Sequence, residues 1–165
     1  MMDQINYKPI GFIQSPFKTL ENIPIQNSGA KGIKGTIEIL PEFIPGLKDL
    51  EGFSHVILIY HLHLVDHSSL LVKPFMDTEE RGIFATRSPI RPNPIGITTV
   101  KLNEISGNVI FIENIDMLDQ TPLLDIKPAL PMIDDIQNIL LGWLTGKIQE
   151  FETKKSDDRF IKTHF

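Results

Sequence analysis

No cysteine occurs among the 165 residues, which excludes a disulfide framework, a thiolate nucleophile, cysteine-ligated zinc and an iron–sulfur cluster. Long apolar runs are missing too, since none approaches the roughly 18 residues that a membrane-spanning helix needs. The start, Met1-Met2-Asp3-Gln4-Ile5-Asn6, is polar where a signal peptide is basic and then apolar. Together these absences lead us to expect a cytoplasmic protein with no membrane association. A glycine-rich dinucleotide fingerprint is lacking, as are internal repeats and low-complexity tracts. Positive charge is in short supply: 16 Lys and Arg against 21 Asp and Glu give a net charge of −5, whereas proteins held on nucleic acid by backbone charge alone are usually basic. The charge is unevenly spread, because Arg81, Arg87, Arg91 and Lys101 lie in a stretch without a single acid, so a local basic site remains open.

What is present describes one domain. A chain of this length with 41% hydrophobic and 22% charged residues buries enough surface to fold alone. The domain is expected over residues 1–150, with a charged tail over 151–165 whose run Glu152-Thr153-Lys154-Lys155-Ser156-Asp157-Asp158-Arg159 lacks an apolar period and predicts a frayed or partner-dependent end. Twelve prolines and eleven glycines punctuate segments rich in β-branched and aromatic residues at 10–13, 35–40, 53–65, 96–105 and 108–115. Ser106-Gly107 joins two of them at hairpin spacing. Helices are expected to be few and short, at 45–50 and at 134–141, the latter opening on Asp134-Asp135. Many short strands between turns predict a mainly β protein, closed into a barrel so that no sheet edge is left bare.

Four stretches carry polar side chains in arrangements suited to chemistry. Residues 82–96 run Gly-Ile-Phe-Ala-Thr-Arg-Ser-Pro-Ile-Arg-Pro-Asn-Pro-Ile-Gly. Prolines fix φ and stiffen this loop before any ligand arrives, so Arg87, Arg91 and Asn93 offer planar donors at low ordering cost; a rigid crossover with water-facing arginines is the plainer alternative. Asp116, Asp119 and Asp125 stand among turn-forming residues and suit ribose hydroxyls or a cation, or else simple Asx turns. His55, His61 and His63 fall on one face of a strand. An H-x-H pair can ligate metal, but with no cysteine and only Asp66 nearby no metal is expected. The fourth stretch is Ser15-Pro16-Phe17 followed by Pro24-Ile25-Gln26; Gln26 can both donate and accept, and Ser15 lacks the setting of a hydrolase nucleophile.

In their order along the chain these stretches resemble the TsaA-like, TrmO-type family of tRNA adenine-N6-methyltransferases, in its short, archaeal-like form. The resemblance covers roughly residues 8–131 and rests on Phe84-Ala85-Thr86-Arg87-Ser88-Pro89 with Arg91-Pro92-Asn93-Pro94-Ile95-Gly96, and on Asp116, Asp119, Thr121-Pro122 and Asp125-Ile126-Lys127-Pro128. It implies a single-sheeted β-barrel that uses S-adenosyl-L-methionine, forms a homodimer with the cofactor near the subunit interface, and methylates N6 of threonylcarbamoyladenosine at position 37 of tRNA. Carried over by motif, the cofactor residues are Gln26, His63, Leu64, Arg87, Ile97, Asp119, Gln120, Thr121 and Pro122. Contacts to RNA are expected at Arg81, Arg91, Asn93 and Lys101, while His55, Tyr60 and Asp119 are candidates for removing the N6 proton. Three departures stand out. Gln120 occupies the family's glycine and Ala129 an aromatic position, predicting a changed local turn; Ile25 stands where bacterial members carry arginine; and a further C-terminal domain is not expected. The last departure, with the acidic net charge, keeps two alternatives in view: a methyltransferase of a small non-tRNA substrate, and a non-catalytic dimeric module that binds the cofactor or an anion.

Overall fold

The computed structural model describes residues 4–21, 23–24, 27–130, 153 and 155. Eight strands form within them: β1 (Gly11–Gln14), β2 (Lys34–Ile39), β3 (His55–His61), β4 (Leu71–Val72), β5 (Arg81–Gly82), β6 (Ile95–Ser106), β7 (Val109–Glu113) and β8 (Thr121–Pro128). Six of them close into an antiparallel barrel in the order β1-β2-β7-β6-β3-β8, while β4 and β5 pair separately. Because every neighbour in the barrel runs antiparallel, the exits of β1, β3 and β7 and the entries of β2, β6 and β8 share one end. The connections that follow β1, β3 and β7 open at that mouth, while 40–54 crosses the other end. At the opposite end β6 turns into β7 through Gly107, whose φ of 62° supplies the left-handed residue that the expected hairpin requires.

Alternation of side chains fills the barrel. Val56 and Leu58 of β3, Val100 of β6, Ile110 and Ile112 of β7, Ile37 and Ile39 of β2, Ile13 of β1 and Leu123 of β8 are all fully buried and form one cluster. Burying each such side chain contributes about 1.5–3 kcal/mol. Glycine supplies the clearance where a large ring must lie against backbone: Tyr60 and Gly96 face each other across β3 and β6, and a Cβ on Gly96 would come within 2.2 Å of the Tyr60 ring.

Strand β8 falls where the sequence suggested chemistry rather than a strand. Its prolines are tolerated because Pro122 pairs only with Phe12 of β1 and Pro128 only with Val56 of β3, so each sits where β8 has a single strand neighbour. The expected strand at 53–65 stops at His61, which puts His63 in the following turn and off the face shared by His55 and His61. Around the expected helix at 45–50 the chain forms 3₁₀ turns at Pro41–Leu47 and Leu50–Gly52. The helix expected at 134–141 lies outside the described residues. Among those residues no helix is long and apolar enough to cross a membrane.

Substituting Gly96→Ala forces a methyl into the Tyr60 ring, and we expect a loss of about 1–3 kcal/mol, the usual range for overfilling a packed interior. A lowered urea midpoint with an unchanged slope is the expected readout.

Candidate functional site

Residues 62–94, between β3 and β6, arch over the mouth with a small core of their own, built on Val72, Ile83 and Ile90. The amide of Leu62 donates to the Pro94 carbonyl at 2.8 Å and ties the two feet of the arch together. Inside it, Arg91 Nη1 donates to the carbonyls of Ile83 (3.1 Å) and Thr86 (2.8 Å), and its guanidinium lies over the Phe84 ring. The loop's stiffness thus comes from an arginine as well as from prolines. Arg87, four residues away, is exposed.

Residues 114–120 close the mouth from the β7 side. Ile115, Met117 and Leu118 point inward and are buried. The Ser15 hydroxyl donates to the Met117 carbonyl at 2.8 Å and accepts from the Phe17 amide at 3.1 Å, which gives this buried serine a structural task. Asp119 accepts from the Ser15 amide at 2.9 Å and pairs with Lys18 at 2.6 Å. Desolvation opposes its ionisation, yet these two partners outweigh it and hold the carboxyl below its usual range. Gln120 adopts φ 60°, the left-handed conformation that glycine takes at least cost. The turn expected to change at this position therefore keeps a glycine-like backbone, with glutamine bearing the strain. Beside it lies a shallow cavity of about 420 Å³ bordered by Gln14, Lys18, Lys34, Phe111, Asp119 and Gln120.

Below Arg87 the barrel interior turns polar. Tyr60 and Thr98 are buried, and Asp116 lies between them and the mouth. Burial pushes the Asp116 carboxyl up to about 6, against the opposing pull of the Thr98 hydroxyl, its own backbone amide and the Arg87 guanidinium. Tyr60 is raised as well, by burial first and the Asp116 charge second, so its phenol stays neutral. His63 is lowered by burial and by His61, which keeps its imidazole neutral at neutral pH. Thr98 was absent from the sequence-derived site, and Asp116 entered it only as one carboxylate of a turn-rich stretch, with no role of its own. A carboxylate among turn residues looks the same whether it faces water or the barrel.

The sequence-derived residues thus separate. Arg87, His63, Leu64 and the turn at 119–122 gather at the mouth, with Ile97 on the outer face of β6 near its entry. The Thr121 hydroxyl donates to the Leu118 carbonyl at 2.7 Å. Gln26 and Ile25 lie outside the described residues, but Pro24 beside them forms an antiparallel bridge with Lys155, so part of the tail expected to fray is paired. His55 does not join the group. It starts the strand that His61 ends, about 20 Å away at 3.3 Å per residue, and its Nδ1 lies 3.0 Å from the Ser54 hydroxyl. Of the residues expected to meet RNA, Arg81 is bound to Asp77 at 2.8–2.9 Å, Arg91 is turned inward, and Lys101 lies opposite His55, 3.8 Å from Glu113. Asn93 is exposed at the mouth. Among the described residues no group of three His, Cys, Asp or Glu side chains is placed to hold a metal ion.

A buried carboxyl with a raised pKa makes folding weaker as the pH climbs. Asp116 binds its proton more tightly in the folded chain, so stability falls between the ordinary value of 3.8 and about 6 and stays lower above that, by about 2–3 kcal/mol. We therefore expect Asp116→Asn to melt at a higher temperature than the wild type at pH 8 and at nearly the same temperature at pH 4, as thermal denaturation at both pH values checks.

Comparison with known proteins agrees with this geometry. Residues 12–135 match the family described as the tRNA-methyltransferase O N-terminal domain. A Pyrococcus abyssi protein named as a probable S-adenosyl-L-methionine-binding protein is 52% identical over 161 residues, 98% of this chain and 88% of that protein. The human tRNA (adenine(37)-N6)-methyltransferase is 35% identical over 140 residues, which are 81% of this chain and 32% of the human one. The crystal structure of TrmO from Pseudomonas aeruginosa superposes with a TM-score of 0.72 at 35% identity, covering 86% of this chain. This chain spans 63% of that solved chain. By sequence and by barrel, it belongs to the family of the tRNA-methyltransferase O N-terminal domain.

Proposed function

We propose that this protein is an S-adenosyl-L-methionine-dependent tRNA methyltransferase that methylates N6 of threonylcarbamoyladenosine at position 37, acting as a cytoplasmic homodimer. The observation that carries the reading is the convergence of Arg87, His63 and the turn at 119–122 on one barrel mouth, above a buried carboxylate, in a chain of this family.

The side chains at the mouth suit the cofactor. A guanidinium fits its carboxylate. Neutral His63 can hydrogen-bond without adding a positive charge near a sulfonium, and the Asp116 charge favours one. Leu64 and Ile97, 54% and 57% exposed, offer apolar surface for an adenine face. Ser88 Oγ is buried beside Arg87 and meets no partner among the described residues. When bound, the cofactor supplies an electrophilic methyl group. The chain's own part is orientation, which can contribute several kcal/mol to a displacement between two bound groups. Removal of the N6 proton does not suit the three residues first considered: His55 is at the far end of β3, Tyr60 is held neutral, and Asp119 is ion-paired. Exposed Leu64, Ile95 and Ile97 also support a second copy packing beside the mouth.

The engagement of Arg81, Arg91 and Lys101 within the chain favours one second reading, a methyltransferase of a small modified nucleoside. Purified protein with methyl-labelled cofactor separates the two. Transfer is expected to tRNA that carries threonylcarbamoyladenosine and not to the same tRNA without it, and Arg87→Ala is expected to lower kcat/KM by about 10- to 100-fold. Transfer to the free nucleoside without affinity for tRNA would establish the second reading; no transfer to either would leave a binding module.

A further inference from the structure

The shallow cavity beside Gln120 has one border on the turn at 119–120 and the rest on the outside of the barrel. Gln14 of β1, Thr36 of β2 and Phe111 of β7 form a straight row across it, since Gln14 pairs with Thr36 and Thr36 with Phe111. These side chains point away from the core, which their chain neighbours Ile13, Ile37, Ile110 and Ile112 fill. The row spans three strands, about 10 Å, and lies two residues, about 7 Å, from the mouth ends of β2 and β7. A lone apolar side chain on a surface is ordinary. Phe111, 40% exposed, instead forms the apolar wall of a concavity that is otherwise polar. The Gln14 amide accepts from the Thr36 hydroxyl at 3.4 Å and donates to Glu38 at 3.3 Å, so the row holds its shape without a ligand.

Charge at the cavity is positive. Among the described residues Asp119 is the one acid on its border, and Lys18 neutralises it. Lys34 is the surplus cation: it is exposed at the first position of β2, and its cross-strand partner Glu113 is 3.8 Å from Lys101 and 3.5 Å from the Asn103 amide. An aromatic face beside an ammonium matches a nucleotide, whose base stacks on the ring and whose phosphate meets the lysine. The basic residues first expected to meet RNA are spent elsewhere, Arg81 on Asp77, Arg91 on loop carbonyls and Lys101 beside Glu113. We propose that this cavity binds one unstacked nucleotide of the RNA substrate, its base against Phe111 and its phosphate at Lys34. This rests on the tRNA reading above. Because the turn at 119–120 borders both the cavity and the mouth, the nucleotide held here is a near neighbour of the one presented at the mouth. Stacking of this kind needs bases splayed out of a helix, as in a single-stranded loop. It is tolerant of base identity, so the site adds affinity and placement to the reaction, with little choice of sequence.

Fluorescence anisotropy with labelled tRNA carrying threonylcarbamoyladenosine, and calorimetric titration with S-adenosylhomocysteine, test the proposal on the wild type, Phe111→Ala, Phe111→Trp and Lys34→Gln. Phe111→Ala is expected to weaken tRNA binding by about 5- to 100-fold, and Phe111→Trp to keep it within about threefold. Lys34→Gln is expected to reduce the slope of log affinity against log salt by about 1. All three variants are expected to bind S-adenosylhomocysteine within about twofold of the wild type, which also reports an intact fold. Unchanged tRNA binding in Phe111→Ala and Lys34→Gln would overturn the site while leaving the tRNA reading standing. A parallel loss of S-adenosylhomocysteine would assign the cavity to the cofactor, and a smaller mass for Phe111→Ala in sedimentation would assign it to a second copy of the chain; either overturns the proposal. A wild type without affinity for this tRNA would overturn the tRNA reading and the site with it.

Discussion

Closure of six antiparallel strands is the constraint on which the rest depends. It removes every sheet edge from the barrel and fills the interior with Ile, Val and Leu to the exclusion of solvent. A barrel packed this way has no room for a ligand inside. Chemistry is left to the ends, and antiparallel alternation sends the connections that follow β1, β3 and β7 to the same end. The arch at 62–94, the stretch at 114–120 and the turn into β8 meet at the mouth for that topological reason.

Stability and chemistry pull apart at the mouth. At the opposite end Gly107 supplies the positive φ that the hairpin needs, and Asp49 takes a left-handed conformation too. At the mouth Gln120 takes a backbone conformation better suited to glycine, Ser88 buries a hydroxyl that meets no partner among the described residues, and Asp116 buries a charge. These features weaken a fold, and they persist here because the well-packed barrel below them supplies the surplus.

Arg87 and Arg91 show how little residue type says about use. They sit in one proline-rich loop and carry the same guanidinium. Arg91 spends its donors on the carbonyls of Ile83 and Thr86 and so builds the loop, whereas Arg87 is exposed. The two differ only in what the folded loop brings near them.

Much of the fold was legible in the sequence. Periodicity and turn residues located β1, β2, β6, β7 and the Ser106-Gly107 hairpin, because alternation and positive φ are local demands. The motifs around Arg87 and Asp119 were enough to indicate the family. Strand β8 was hidden, since a proline near each end and Asp125 with Lys127 resemble a loop until closure shows that each proline has one strand neighbour. The separation of His55 from the mouth, the inward turn of Arg91 and the clamp formed by Asp119 on Ser15 and Lys18 were equally hidden. Composition, strand pattern and motif identity were thus determined by the sequence alone, being sums over near neighbours in the chain. Which polar groups meet, which face solvent and which are buried without a partner was decided by the tertiary structure, because those relations join residues as far apart as Tyr60, Arg87 and Asp116 and exist only once the barrel closes.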